Sequence, residues 1–222
     1  MGLMLRPGVS YCEVAGRLMF LDLEADRYFC LGRRAEAAFR AASTGPAAAG
    51  EQDEALLSLR QSGLLVSTSD EHRLAACRGL AAAEASLLND LRIGAPVRLK
   101  MAVLRDLAAA HFALRWQPLN VVLGRLAQQK SRATPRLSPG HATAQEVAAA
   151  FDWSSAIVRS HDRCLPRSIA VAHRLARCGI SADLVVGVSL NPFAAHSWVQ
   201  CGSALVNDRP DGVRHFTPIL VI

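Results

Sequence analysis

One helical stretch giving way to four short strand-like runs, near the carboxyl end, limits most what this chain can fold into. Between residues 166 and 178, Ile169, Ala172, Leu175 and Ala176 recur at helical spacing, and Gly179 supplies a stop. Strand-like runs follow at residues 183–189, 195–200, 204–207 and 216–221. A helix with one apolar face must bury that face against its neighbours, and the nearest partner is the antiparallel sheet that follows it. The expected class is therefore α+β.

The first third is also mixed. Residues 9–14, 18–23 and 28–31 are short alternating runs, separated by Ala15-Gly16 and by Glu24-Ala25-Asp26, and they predict a three-stranded meander. Helical stretches follow at 33–42 and 51–61, the second turning Leu56, Leu59 and Leu64 toward a core. From about residue 75 to 127 the pattern reads as helical, broken by Pro96 and Pro118. Met101, Leu104, Leu107, Ala108 and Phe112 are expected to pack inward there. Residues 130–141 read as an exposed loop and 144–161 as a helix. The expected organisation is a compact module over 1–75, a helical basic connecting region over 76–143, and a chemically active core over 144–222.

Composition narrows the partners. Residues 1–75 carry 8 basic and 10 acidic side chains, net −2, whereas residues 92–136 carry 9 basic residues against Asp106 alone, net +8. The central stretch has the charge to attract nucleic acid, anionic lipid or an acidic protein, although a solvated face on amphipathic helices is the simplest account. No apolar run approaches the roughly 20 residues of a spanning helix, and the first residues show no signal-peptide core. A cytoplasmic location is expected. The six cysteines lack CxxC or zinc-ligand spacing, so free thiols are expected rather than disulfides or a metal centre. No motif implies an organic cofactor.

Cys164 stands at the mouth of a helix, with Pro166 in the first turn, where a missing N–H costs nothing. Free backbone N–H groups and the helix dipole favour a thiolate there, and Arg163 and Arg167 add positive potential. A small buried cysteine would be the ordinary alternative. The following hairpin argues for chemistry. With Cys201-Gly202-Ser203 as its loop, residues whose numbers sum to 404 face each other, which sets His196 opposite Asp208. A carboxylate beside an imidazole fixes its tautomer and stabilises its cation, so Cys164, His196 and Asp208 would serve as nucleophile, base and orienter. The other histidines (His72, His111, His141, His161, His173 and His215) have no carboxylate at comparable spacing, and His173 lies too far along its helix to reach Cys164.

These segments resemble the lasso peptide B proteins, leader peptidases of ribosomal peptide biosynthesis. The resemblance rests on residues 164–168 (CLPRS), 191–199 (NPFAAHSWV), 206–208 (VND) and 216–220 (FTPIL), and departs at Ser197 and Gln200, where Ala and Glu are common. Residues 21–32 (LDLEADRYFCLG) resemble the second hairpin of a RiPP recognition element, a small winged-helix-like domain. The resemblance implies a recognition element of three strands then helices, fused to a papain- or transglutaminase-like α+β cysteine peptidase domain.

The same resemblance implies that the leader of a precursor peptide adds as a strand beside Arg27, Tyr28, Phe29, Cys30 and Leu31. Cleavage between leader and core would follow, and an ATP-dependent, asparagine-synthetase-like cyclase would act on the product. Three alternatives stay open: an acyltransferase on the same fold, a non-catalytic peptide- or DNA-binding protein, and a peptidase whose basic segment docks on the cyclase, a transporter or a membrane. Against DNA, the first 75 residues are net acidic and lack an arginine-rich helix.

Overall fold

In the computed structural model, which describes residues 2–44, 54–68, 74–89, 94–132, 142–157 and 164–222, the chain divides into two units. They are Met1–Arg78 and Gly79–Ile222.

In the first unit, β1 (Gly2–Leu5) precedes the meander β2 (Val9–Val14), β3 (Arg17–Asp22) and β4 (Arg27–Cys30). Ala15 and Gly16 both take left-handed φ values, 49° and 73°, as a tight two-residue hairpin between twisted strands requires. The second turn is held by Asp22, whose Oδ1 accepts the N–H groups of Glu24 and Ala25 at 3.1 Å each. Helices α1 (Arg33–Thr44) and α2 (Glu54–Gln61) then close over the sheet. Phe20, Phe39 and Tyr11 interlock in the core, with Leu56, Leu59 and Leu64 beside them as the helical spacing predicts. Residues 51–53, the expected start of the second helix, lie outside the described residues. The strand β5 (Leu65–Thr68) pairs antiparallel with β1. That two-stranded sheet was not expected, because neither short run alternates long enough to signal a strand.

The second unit is a five-stranded sheet with helices. Its strands are β6 (Ala85–Ser86), β7 (Asp183–Ser189), β8 (Ala194–Cys201), β9 (Ala204–Leu205) and β10 (Thr217–Val221), in the order β10-β7-β8-β9-β6. The helices are α3 (Val97–Trp116), α4 (Leu119–Arg132), α5 (Ala144–Ser155), α6 (Cys164–Arg177) and the short α7 (Pro210–Val213). Thr143 and Glu146 form a capping box that starts α5. The helix α6 ends at Gly179, whose φ of 73° suits a left-handed stop. It buries Ile169, Val171 and Leu175, each contributing about 1.5–3 kcal/mol by removal from water.

Several expectations are corrected here. Residues 74–84 are not helical, and Ala85–Ser86 pairs parallel with Ala204–Leu205. The alanine-rich run has helix propensity, but tertiary bonds override it: Gln200 Nε2 donates to the Ala81 carbonyl at 2.8 Å, and Glu84 N–H to that of Ser203 at 3.0 Å. Met101 and Phe112 are not core residues. They are 59% and 62% exposed, and Leu99, Val103, Asp106 and Ala110 take the inner face of α3. That helix is apolar on two sides, and the ion pairs of buried Asp106 with Arg174 and Arg177 of α6 accompany the choice between them.

The β8–β9 hairpin turns through Gly202 and Ser203 alone, pairing Cys201 with Ala204 and Gln200 with Leu205. Facing residue numbers therefore sum to 405, not 404. Of the loop expected over 130–141, residues 133–141 lie outside the described residues, whereas 130–132 complete α4. The helix expected over 144–161 ends earlier, at Ser155, with 156–157 in a turn, and 158–161 lie outside the described residues.

Candidate active site

Cys164 is the first residue of α6, with Pro166 in the first turn. His196 lies in β8, paired with Gly187 of β7. Asp208 follows β9 in a non-regular segment before α7. The structure brings these three together, by a route other than cross-strand pairing. The ladder stops at Leu205, and a further bond from Val206 N–H to the Val199 carbonyl, at 2.9 Å, leads the chain past β8. Asp208 then reaches back, so that its Oδ2 lies 2.5 Å from His196 Nε2. With Nε2 on the carboxylate, Nδ1 is the ring nitrogen left for the thiol.

Asp208 is itself fixed on three sides. Its carbonyl accepts from Ser86 Oγ at 2.6 Å, and its Oδ1 accepts from the Arg209 N–H at 2.7 Å. A Cβ at Gly212 would stand 2.5 Å from Oδ1, so only glycine lets α7 approach so closely. The imidazole of His196 packs against Trp198 and Phe216, at 6.1 and 5.2 Å between ring centroids. Gly187 makes room for the Trp198 ring and for the Phe216 side chain, since a Cβ there would lie 2.8 Å from ring carbons of Trp198 and 2.9 Å from Phe216 Cβ.

The electrostatics single out one sulfur. Burial pushes the thiols of Cys12 and Cys201 up to about 12 and about 11, and raises those of Cys77 and Cys178. Burial also pushes Cys164 upward, but hydrogen bonds from His196 and from the hydroxyl and backbone N–H of Ser197 outweigh it, and bring the thiol down to about 7. His196 moves the other way, to about 9, because hydrogen bonds to Asp208 and Cys164 and their negative charge favour the imidazolium against its burial. Between those values the pair is a thiolate and an imidazolium. Such a pair has a nucleophile and a proton donor ready for a carbonyl carbon and its leaving group.

Arg167 lies one turn into α6. Its Nη2 donates to the Phe151 carbonyl at 2.8 Å, and burial lowers its pKa, countered by Asp152 and Asp208. Arg163 lies outside the described residues, as do His72, His141 and His161. His173 bonds Gln129 through Nδ1, and His215 bonds Arg214.

The segment expected to bind peptide belongs to the first unit. Strand β4 forms one edge of the sheet β2-β3-β4. Phe29 stacks on Phe20 at 5.2 Å, and Leu31 packs on the same core. Arg27 lies over the Phe29 ring at 5.5 Å, and Cys30 is exposed. All six cysteines are free thiols. Among the described residues no cluster of His, Cys, Asp or Glu is arranged to hold a metal, and no helix is long and apolar enough to cross a membrane.

The residue reading passed over Ser86, Ser168, Gly187 and Gly212, whose roles depend on contacts between distant segments. Gly187 carried a signal, as glycine inside a strand often marks a close approach.

A stretch of 48 residues is 44% identical to the Microcin J25-processing protein McjB of Escherichia coli, covering 22% of this chain and 23% of that protein. The match thus spans under a quarter of the relative's length. No solved structure matches. The model of the transglutaminase-like superfamily matches residues 106–221, just over half of the chain, beginning inside α3 and taking in all three residues of the site. The chain belongs to the transglutaminase-like superfamily.

Proposed function

We propose that the chain is a cysteine peptidase that removes the leader from a ribosomally made precursor of a lasso peptide. The observation that carries the reading is the depressed thiol of Cys164 at a helix N-terminus, beside an imidazole backed by Asp208. The similarity to a microcin-processing protein supports the substrate class.

In this mechanism the Cys164 thiolate attacks the carbonyl at the leader–core junction. N–H groups at the start of α6 hold the oxyanion, and His196 gives its proton to the departing core amine. Water, activated by the now neutral His196, then releases the leader. Asp208 keeps Nε2 of His196 protonated. The freed amine is the group a separate ATP-dependent cyclase would join to an acidic side chain of the core.

The test is incubation with a precursor encoded beside the gene, read by mass spectrometry. A single cut that adds one water across the two products supports hydrolysis. A leader fragment carrying an amine in place of that water would assign acyl transfer, the chemistry for which the superfamily is named.

The two shifted groups fix a pH profile. Below about 7 the thiolate is lost, and above about 9 the imidazolium loses the proton it must donate. The plot of kcat/KM against pH should therefore be a bell with limbs near those values, measured on a short peptide spanning the junction. A profile that climbs steadily through pH 10 would mean that no protonated histidine is needed.

The first unit is proposed to bind the leader as an added strand on β4. Cys30→Glu, an exposed change on that strand, should weaken leader affinity about tenfold, roughly 1.4 kcal/mol, as read by fluorescence anisotropy. Turnover of a short junction peptide should stay the same. Unaltered leader affinity would place recognition elsewhere.

A further inference from the structure

Behind the three residues of the site lies a second set, each a near sequence neighbour of one of them. Ser168 is one turn after Cys164 in α6, Ser197 follows His196 in β8, and Asn207 precedes Asp208. Ser168 is fully buried and Ser197 is 2% exposed. Ser168 Oγ donates to the Ser197 carbonyl at 2.9 Å and accepts from Ser197 Oγ at 3.3 Å and from Asn207 Nδ2 at 3.0 Å. One donor and two lone pairs are all a hydroxyl has, so Ser168 is saturated. Asn207 Oδ1 accepts the Val199 N–H at 2.8 Å, which fixes the orientation of its amide. Three segments distant in sequence are thus tied at one buried oxygen.

Ser197 is also among the groups that favour the Cys164 thiolate, through its backbone N–H and its hydroxyl. That hydroxyl has one proton and two acceptors in reach, Ser168 Oγ and Cys164 Sγ. The structure gives that proton to Ser168. Beside a thiolate the sulfur would be the stronger acceptor, because a bond to an ion is the stronger, and Ser168 would keep its bond from Asn207. The charged group that also acts on the sulfur is His196, with Asp208 behind it, whereas Arg167 on the same helix interacts with Asp152 and Asp208.

We infer that Ser197 is a thiolate-stabilising residue of this site, and that Ser168 and Asn207 are positioning residues that hold it, His196 and Asp208 in register with Cys164. The inference rests on reading Cys164 as the nucleophile, yet its test requires no peptide substrate. The full-length chain is treated with iodoacetamide from pH 5 to 10, and alkylation at Cys164 alone is followed by peptide mapping. The mapping keeps the other five thiols out of the measurement.

Ser197→Ala should slow alkylation at pH 6 about tenfold, by loss of one bond to the thiolate, and Ser197→Thr, which restores a hydroxyl, should recover most of the rate. Asn207→Ala should also slow it, since a displaced Asp208 leaves a weaker imidazolium beside the sulfur. Thermal melts accompany each variant. Should Asn207→Ala fail to fold, the Ser197 pair decides alone. An alkylation profile identical to that of the parent in folded Ser197→Ala would overturn the inference. Normal shifts in alkylation with no cleavage of any precursor would overturn the peptidase reading and leave this one standing.

Discussion

Cys164→Ala should abolish cleavage of the precursor and leave its affinity for the leader unchanged. The substitution removes one sulfur from a half-buried position at a helix start, where alanine is well tolerated, so the fold has little reason to respond. The chemistry has every reason to. Without the thiolate, His196 has no nucleophile to pair with, and what survives is whatever the oxyanion donors and substrate binding can do alone. For triads of this kind the loss is on the order of 10⁴-fold or more in kcat. Single-turnover assays by mass spectrometry measure the first quantity and fluorescence anisotropy with labelled leader the second. Residual cleavage at the parent rate would move the nucleophile to another residue. Loss of leader affinity in a folded variant would place the leader site on the second unit.

Asp208→Asn is the second change with a large expected effect. The carboxylate can only accept, so it requires a proton on His196 Nε2 and leaves Nδ1 free to take the proton of the thiol. An asparagine amide can turn its NH₂ toward Nε2 and stabilise the opposite tautomer, in which Nδ1 already carries hydrogen. The imidazolium also loses the charge that lifts it to about 9. The expected result is a fall in kcat of roughly 10³–10⁴-fold with KM nearly unchanged. The alkaline limb of the pH profile should move down as well. A drop below tenfold with the limb in place would reduce Asp208 to a structural partner of His196.

What the sequence made legible follows from how local each signal is. The meander β2–β4 was readable because Ala15-Gly16 and Glu24-Ala25-Asp26 are turn residues at hairpin spacing, and turn chemistry acts within four residues. The start of α6 was readable from Pro166, and its stop from Gly179. His196 and Asp208 were paired correctly as neighbours through an incorrect register. The loop is one residue shorter than assumed, and Asp208 sits beyond the ladder, placed by Ser86 and Asn207. The inner face of α3 was misjudged for a related reason. With Met101 and Phe112 on one side and Leu99 and Val103 on the other, periodicity offers two apolar faces, and only the partners α5 and α6 select between them. Long-range bonds likewise drew residues 81–86 out of a plausible helix, with Ala85–Ser86 at the sheet edge.

That last segment bears on where the polypeptide can be divided. The backbone of Ala81, Glu84 and Ala85 and the hydroxyl of Ser86 all bond to the β8–β9 hairpin or to the carbonyl of Asp208. A fragment trimmed to residues 144–222 would keep the nucleophile, the base and the carboxylate, yet leave the Asp208 loop without its outer strand and Gln200 with only one of its two acceptors, the Gly202 carbonyl. Any separation of this chain into two genes, one for recognition and one for chemistry, would have to place its break ahead of Ala81.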